Sequence, residues 1–330
     1  MEHPSKWHAI IEGCLKPHLN IKKSQLNVAH HEQRSYPLSR DLRGYWEAEP
    51  APCWPNKARL AVSVVVNIEE GAELSITAGD ERNESRYEAV EEVKNAPDPC
   101  MESHFGYGPR RGFQRIISAL AAHNAKATFS TCGRAADSTP WLIQDAIAQG
   151  HEVSCHGWRW ETHAGMDMEE ERAIIARTYA TITQITGIPP VGWHTRSATT
   201  VHTRALLKAH GGFTYDSNAY DDDIPYMDDD FVVLPYAFDT NDMRFSPGGG
   251  FVQASDFADY VIAGFDRLYA EGASAARMIS IGLHPRIIGR PARIGALKTV
   301  LAHIASHDDV WIAPRRDIAA QWAQHHETQK

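Results

Sequence analysis

Three apolar runs in the sequence each lead into a side chain that can accept or donate a proton. The first run ends at Ile68 and is followed directly by Glu69 and Glu70. A second run ends at His156 and a third at His284. Because the buried strands of α/β barrels present catalytic groups at their C-terminal ends, we expect these side chains to share one pocket.

Carboxylate and imidazole groups in one pocket indicate general acid–base catalysis. Burial can raise the pKa of a glutamate towards neutrality, and imidazole titrates near neutral pH, so His284 suits a general acid. Adjacent side chains diverge in a strand, so at most one of Glu69 and Glu70 points straight into the pocket. The alternatives are a solvated or helix-capping carboxylate pair and a hydrogen-bonded structural histidine.

The segment that begins at His156 offers further candidates. His163 lies seven residues later, so both imidazoles could reach one metal ion, although this is not the spacing of a helical HxxxH pair. Trp158 and Trp160 are either core residues or the apolar wall of a small-molecule site. Cys155 could be a nucleophile, but strand alternation turns it away from His156 and favours a small buried residue.

Five more residues are candidates for binding a substrate. His194 and Arg196 alternate and can face one side, although Arg196 could equally form a surface ion pair. Asp216 ends a strand-like run, whereas the acidic stretch that follows it is typical of a solvated loop. Arg286 and Arg290 could bind an anionic or carbonyl-bearing substrate through two parallel hydrogen bonds.

The elements that must position these groups alternate between strand and helix from about residue 59. Strand-like runs cover Leu60–Asn67, Lys126–Cys132, Glu152–His156, Phe213–Asp216, Phe231–Pro235, Met278–His284 and Val310–Ala313. Amphipathic stretches of helical length cover Gly112–His123, Pro140–Gln149, Met168–Ile185, Thr200–His210, Asp256–Ala273 and Arg293–His307. This alternation predicts an α/β protein with a mainly parallel sheet, closed or nearly closed as a barrel. No glycine-rich GxGxxG follows the first strand, so we expect no dinucleotide site.

Composition and charge limit the class of protein. The 330 residues are 43% hydrophobic and 23% charged, with a net charge of −9, which argues against a nucleic-acid or membrane-surface binder. The five cysteines show no CxxC spacing, so neither a disulfide framework nor a thiolate zinc site is indicated. The N-terminal residues lack the pattern of a secretory signal. We expect a cytoplasmic enzyme with a small-molecule substrate.

The chain divides into two parts of unequal length. Residues 1–57 have weak periodicity and predict an N-terminal extension that wraps the main domain, residues 58–330. Residues 71–111 form a long polar stretch directly after the glutamate pair. A loop of that length is often functional, so it predicts a lid or a wall of the pocket. An oligomer contact and a disordered excursion are the alternatives.

Five ordered segments resemble the polysaccharide deacetylase superfamily, and more closely its bacterial allantoinase branch. They are Asn-x-Glu-Glu-Gly (67–71), His-Gly-Trp-Arg-Trp (156–160), Gly-Trp-x-Thr (192–195), Tyr-Asp-Ser-x-x-Tyr-x-Asp-Asp-x-Pro-Tyr (215–226) and Leu-His-Pro-Arg-x-x-Gly-Arg-Pro-x-Arg (283–293). The resemblance implies a distorted (β/α)₇ TIM-like barrel. It also implies a hydrolase that opens a cyclic amide in a ureide rather than one that attacks sugars.

The resemblance also implies roles by position. Glu69 would be the general base, and Glu70 and His156 would stand where metal-dependent relatives hold their ion. Trp160 stands where those relatives have a second histidine, and the loss of one ligand weakens a zinc-type site. The allantoinase-like branch carries the same change and is described as metal-independent, so the resemblance implies no required cofactor.

Two residues depart from the allantoinase pattern. His194 and Arg196 stand where that branch has other residues, and Arg196 adds bulk and charge near the expected pocket. Allantoin, another cyclic imide or ureide, and a linear amide therefore all stay open as substrates. His163 or His194 could also replace the missing ligand, which keeps a divalent metal such as zinc as the alternative.

The leading hypothesis is hydrolysis of a non-peptide C–N bond in a cyclic amide. Glu69 would take a proton from water, and His284 would protonate the leaving nitrogen. His156, Trp193 and backbone N–H groups would stabilise the oxyanion, and Glu70 would orient them. Trp158, Trp160, His194, Arg196, Asp216, Arg286 and Arg290 are the further candidates for contact with the substrate.

Two other hypotheses stand beside this one. The first is a metal-dependent N-deacetylase of an acetylated sugar or amine. The second is a catalytically inactive barrel used for binding. The resemblance also suggests a homo-oligomer, although no segment identifies an interface.

Overall fold

The computed structural model describes residues 44–45, 49–89 and 91–329. Its strands are β1 (Leu60–Ile68), β2 (Thr128–Thr131), β3 (Glu152–Cys155), β4 (Gly192–Trp193), β5 (Tyr215–Asp216), β6 (Tyr226–Asp228), β7 (Phe231–Val233), β8 (Arg277–Leu283) and β9 (Val310–Ile312). Its α-helices are α1 (Pro99–Phe105), α2 (Phe113–Ala122), α3 (Gly133–Ser138), α4 (Pro140–Ala148), α5 (Met168–Thr186), α6 (Thr203–His210), α7 (Ala254–Glu271), α8 (Ile294–Ala305) and α9 (Arg315–Gln329). None of the helices in these ranges is long and apolar enough to cross a membrane.

The strands form a curled, mainly parallel sheet in the order β6-β7-β5-β4-β3-β2-β1-β8. β8 pairs with β1 over residues 60–66, whereas β9 and β2 pair with opposite ends of β1. β6 runs antiparallel to β7 at one edge of the sheet. The curled sheet and its covering helices confirm the α/β class and the barrel type expected from the resemblance.

Burial explains why seven of the nine residues of β1 are apolar. All nine of its residues are buried, as expected for a parallel strand covered on both faces.

Local contacts set both ends of α5, the longest described helix. The Asp167 side chain accepts hydrogen bonds from the amides of Glu169 and Glu170, and the helix ends at Gly187 with φ of 71°.

The predicted elements are found within a few residues of their expected bounds, but five elements were missed. β4 and β6 have two and three residues, too few for alternation to show. α1 and α3 have seven and six residues, which is less than two full helical turns. α9 buries a narrow stripe of Ile318, Ala319 and Trp322, so its apolar period is weak.

The compact unit that carries the sheet begins at Pro50, eight residues before the predicted start of the main domain at residue 58. Trp54 explains the shift, because its side chain is 2% exposed and its indole N–H donates to the Arg277 carbonyl at 2.8 Å. The predicted extension, residues 1–57, lies mostly outside the described residues. Its wrapping of the barrel stays a prediction.

The polar stretch 71–111 is tied down by side chains that satisfy its backbone. The Asn83 side chain accepts from the Ile76 amide and donates to the carbonyls of Val93 and Ala96, at 2.8 to 3.0 Å. Asp98 caps α1 by accepting from the Met101 amide at 3.0 Å. Such hydrogen bonds hold an irregular segment in one conformation.

Candidate active site

A cavity of about 650 Å³ opens at the C-terminal ends of the parallel strands. Glu69, His156, His194 and His284 line it, and each directly follows a strand: β1, β3, β4 and β8. Part of the polar stretch 71–111 lines another wall, through Leu74, Arg82, Glu84, Ser85 and Arg86. Parallel strands therefore bring together groups from four distant segments at one end of the sheet.

The Glu69 carboxylate lies at the centre of this group. One oxygen, Oε1, is 3.3 Å from His156 Nε2 and 3.2 Å from His284 Nε2. The other oxygen, Oε2, is 2.6 Å from a guanidinium nitrogen of Arg286. The residue is 1% exposed, so three nitrogen groups replace the water that would otherwise surround the carboxylate.

Asp242 fixes the orientation of His284. Its Oδ1 lies 2.5 Å from His284 Nδ1, and its Oδ2 accepts the backbone N–H groups of His284 and Ile288 at 2.7 and 3.1 Å. Asp242 therefore holds both the backbone and the ring, and it directs Nε2 towards Glu69. The sequence analysis missed Asp242, because it lies in a stretch with no strand or helix period.

The charges of this group set its protonation at neutral pH. Burial lowers the pKa of His284, but Glu69 and Asp242 outweigh it and raise the pKa to about 9. Burial likewise opposes ionisation of Glu69, but His284 and Arg286 hold its pKa well below the usual range. An ionised Glu69 therefore faces a protonated His284.

Glu70 and Arg286 form a buried layer behind the cavity. The Arg286 amide donates to Glu70 Oε1 at 3.2 Å, and its guanidinium lies 3.5 Å from the same oxygen. The guanidinium also lies over the Phe105 and Trp160 rings at 4.4 and 4.9 Å. Both residues support Glu69, and neither lines the cavity.

His156 and His194 stack beside Glu69, with their centroids 4.8 Å apart. His156 Nδ1 lies 2.8 Å from the His194 carbonyl oxygen, so this nitrogen carries a proton and Nε2 faces Glu69. Burial and the neighbouring His156 hold the pKa of His194 well below the usual range. His194 is therefore a neutral ring, and its Nε2 lies 3.2 Å from the Tyr220 hydroxyl.

Tyr236 is a cavity residue that the sequence analysis did not single out. Its hydroxyl oxygen accepts from the side-chain amides of Asn67 and Asn241 at 3.1 and 3.3 Å. Burial raises its pKa, so the phenol stays protonated. Since two donors already point at this oxygen, its own hydrogen is free to bond to a molecule in the cavity.

Arg196 both forms an ion pair and lines the cavity, so the two sequence interpretations are compatible. Its guanidinium contacts both Glu84 carboxylate oxygens, at 2.7 and 3.1 Å. It also donates to the Trp160 carbonyl and lies 3.6 Å from the Trp160 ring centroid. Arg196 therefore fastens the wall formed by the stretch 71–111 to the segment after β4.

Comparison with known proteins gives this arrangement a family. Residues 93–214 match the polysaccharide deacetylase family. A Schizosaccharomyces pombe protein named as a polysaccharide deacetylase is 32% identical over 297 residues, covering 83% of this chain and 93% of that protein. The chain belongs to the polysaccharide deacetylase family. The resemblance inferred from the five sequence segments is thereby confirmed.

Two solved structures of this family are similar over most of the chain. One is a Pseudomonas aeruginosa protein described as a polysaccharide deacetylase, and the other is Puue allantoinase. Each is 41% identical, with a TM-score of 0.84, and the match covers 88% of this chain and 99% of that chain. The family fold is thus shown for the part of the chain that carries the cavity.

Besides Glu70 and Arg286, four residues expected to contact a substrate lie away from the cavity lining. Trp158 lies under the Arg177 guanidinium at 3.5 Å, and Trp193 is fully buried with its indole N–H donating to Thr195. Asp216 is held by Arg204 at 2.7 Å, and Arg290 lies over the Tyr107 ring. Trp193 and Asp216 end strands β4 and β5, whereas Trp158 and Arg290 lie in the loops after β3 and β8, and all four side chains contact packed neighbours.

The donor groups of the cavity do not fit the metal site of the metal-dependent relatives. Glu70 is turned towards Arg286, and His163 is fully buried against Glu171, at 2.9 Å from its carboxylate. Within the described ranges, no three His, Cys, Asp or Glu ligand atoms of the cavity lie within 4.8 Å of one another. In this arrangement the Arg286 guanidinium supplies the positive charge beside Glu69.

Proposed function

We propose that the protein hydrolyses a cyclic amide or ureide of the allantoin type. As a family member it is a hydrolase of C–N bonds. The proposal of a cyclic amide substrate rests on one observation: the ionised Glu69 lies between the protonated His284 and the buried Arg286 guanidinium. The 41% identity to Puue allantoinase supports the same substrate class.

The reaction uses the two groups in the charge states they already have. Glu69 removes a proton from water as the water oxygen attacks the carbonyl carbon. His284 gives its Nε2 proton to the ring nitrogen as the C–N bond breaks. The product carries a new carboxyl group, which releases its remaining proton to solvent and becomes a carboxylate, and an N–H group. Glu69 then returns its proton to His284 across their 3.2 Å contact.

The oxygen of the attacked carbonyl gains negative charge in the transition state. Tyr236 supplies a donor for it, because its hydroxyl hydrogen is not taken up by Asn67 or Asn241. Trp193 cannot take this part, since its indole N–H is already bound to Thr195 at 2.8 Å. Removal of one such donor costs roughly 10²–10³-fold in kcat in other hydrolases.

Glu69 has a low pKa and is a weak base when the site is empty of substrate. This cost is limited, because the proton that Glu69 accepts passes on to His284 as His284 delivers its own. The Arg286 guanidinium keeps the Glu69 carboxylate ionised between turnovers. The same guanidinium offsets part of the desolvation that a buried carboxylate suffers.

Hydrolysis of allantoin and a panel of cyclic imides tests this proposal. Glu69→Gln and His284→Gln should each lower kcat by about 10²–10⁴-fold, because each removes one proton-transfer step. The exposed residues Glu169 and His202 provide matched controls, and Glu169→Gln and His202→Gln should keep full activity. Normal turnover in either site variant would remove that residue from the mechanism.

A metal-dependent N-deacetylase is the second candidate, favoured by the names of two of the relatives. The same assay with N-acetylated sugars, before and after chelation, separates the two. Turnover of acetylated sugars that chelators abolish would replace the cyclic-amide proposal. Ligand binding with no turnover of any substrate would instead favour an inactive barrel.

A further inference from the structure

A second group of metal-binding side chains lies outside the cavity, between helices α7 and α8. It consists of Asp266 on α7, His303 in the last turn of α8 and His307 two residues beyond that helix. One ligand atom from each lies within 4.8 Å of the others, and among the described residues this is the one such group of three. Asp266 is exposed and both rings are half-buried, so solvent ions can reach them.

His307 follows His303 by four residues, and the two ring centroids lie 5.0 Å apart although His307 stands two residues beyond α8. Residues four apart are neighbours on a helix surface, and two histidines at this spacing form a bidentate metal site in other proteins. His303 Nε2 already points at Asp266 Oδ1, 2.6 Å away. The carboxylate on α7 therefore faces the His303 imidazole in the last turn of α8, and the His307 ring lies beside it.

The backbone selects the tautomer of His307 that a metal needs. Its Nδ1 lies 2.9 Å from the His303 carbonyl oxygen, so Nδ1 carries the proton and donates it. The lone pair is thereby placed on Nε2, the nitrogen that would bind an ion. A carbonyl that accepts the second N–H of a metal-binding histidine orients the ring and raises its basicity.

Aromatic packing holds both rings in place. The Phe265 ring lies 5.4 Å from the His303 ring and 5.0 Å from the His307 ring, in edge-to-face contacts. Tyr269 adds a further edge contact to His307 at 4.7 Å. Because packing restricts the rotamers of both rings, binding an ion costs less side-chain entropy than at a mobile surface site.

We propose that Asp266, His303 and His307 bind a divalent transition metal ion of the zinc class. Two imidazoles and one carboxylate are a borderline nitrogen–oxygen set, which prefers zinc, nickel or copper to calcium or magnesium. The ion would replace the direct Asp266–His303 contact and join α7 to α8. Water would complete its coordination, since the cluster offers three protein ligands.

This site lies apart from the residues that line the candidate active site. Metal found in the purified protein would therefore not identify a metalloenzyme. The proposal stands whether or not the cyclic-amide reaction is correct. Its experiment accordingly measures binding and stability rather than turnover.

Calorimetric titration of the chelator-stripped full chain with Zn²⁺ tests the proposal, with Co²⁺ absorption reporting the ligand set. Wild type should bind one more ion than His303→Ala/His307→Ala, and Asp266→Asn should bind that ion at least tenfold more weakly. Zn²⁺ should raise the Tm of wild type, because an ion that binds the folded state stabilises it. It should raise the Tm of the double variant less.

His202→Ala is the matched control, since His202 is exposed and lies outside the cluster. It should bind as many ions as wild type. Equal stoichiometry and affinity in wild type and the double variant would overturn the proposal. If the double variant does not fold, equal Zn²⁺ affinity and equal Co²⁺ spectra in wild type and Asp266→Asn would overturn it.

Discussion

Glu69 and His284 shift each other's protonation in opposite directions. The pKa of His284 rises to about 9 and that of Glu69 falls, because each charged form is stabilised by the other. Asp242 and Arg286 add one more charge on either side of the pair. The result is a buried acid and base that are both in their active forms over a wide range around neutral pH.

The pH dependence of kcat/KM checks this assignment. If protonated His284 is the acid, the rate should stay level around neutral pH and fall as pH rises through about 9, where the ring loses its proton. The acid limb should lie below the usual range of a glutamate, because the pKa of Glu69 is lowered. A rate that increases through pH 9 would mean that neutral His284 acts as a base.

Asp242→Asn tests the residue that orients His284. The amide can still accept the backbone N–H groups of His284 and Ile288, but it lacks the charge that raises the pKa of the ring. We expect kcat to fall by about 10²–10⁴-fold and the alkaline limb to move to lower pH. A lower kcat with an unchanged alkaline limb would show that Asp242 has only a structural part.

At the scale of elements, Arg196 joins the segment after β4 to the polar stretch 71–111. Arg196 follows β4, and Glu84 lies in the stretch 71–111, 112 residues earlier in the chain. Their two-point contact is partly buried, with side-chain exposures of 16% and 2%. Partly buried pairs of this geometry contribute more than exposed ones, because solvent screens them less.

A double-mutant cycle of Arg196→Met and Glu84→Gln measures this link. We expect a coupling energy of about 1–3 kcal/mol in the free energy of unfolding. Each single variant should raise KM more than it lowers kcat, because it moves a wall of the cavity and leaves Glu69 and His284 in place. Additive effects on stability, with KM unchanged, would contradict the link.

At the scale of the whole sheet, one buried arginine connects strands beside the core cluster that contains Tyr215 and Leu234. Arg315 begins α9 and is 2% exposed. Its guanidinium donates to hydroxyls of Ser63, Ser217 and Ser280 and to the carbonyls of Leu234 and Pro235. These acceptors follow or belong to β1, β5, β7 and β8, so one side chain connects four strands.

Arg315→Lys should destabilise the fold strongly. A lysine has three donors in place of a five-donor fork, so buried carbonyls and hydroxyls lose their partners. We expect a loss of about 3–5 kcal/mol in the free energy of unfolding, measured by urea denaturation. Arg316→Lys is the matched control, since its side chain is 35% exposed and should change stability by less than about 0.5 kcal/mol. Equal losses in the two variants would contradict this account.

The residues that could be predicted are those whose position follows from a local pattern. Glu69, His156 and His284 directly follow buried strands, and parallel strands bring such ends together whatever the rest of the chain does. The alternation of strand and helix likewise predicted the class of fold. Asp242 and Tyr236 were missed, because they lie in an irregular stretch whose path depends on contacts with β8 and β1.

The sequence by itself determined the alternation of strand and helix, the family and the side chains that follow the longer strands, because hydrophobic period and motif spacing are local properties. Only the tertiary structure decided which side chains face the cavity. Asp216 ends a strand as predicted and Trp193 ends the short strand β4, yet packing turns both away, whereas Arg196 lines the cavity while paired with a carboxylate far along the chain. Side-chain direction at a strand end depends on neighbours that are distant in sequence, and no local pattern encodes them.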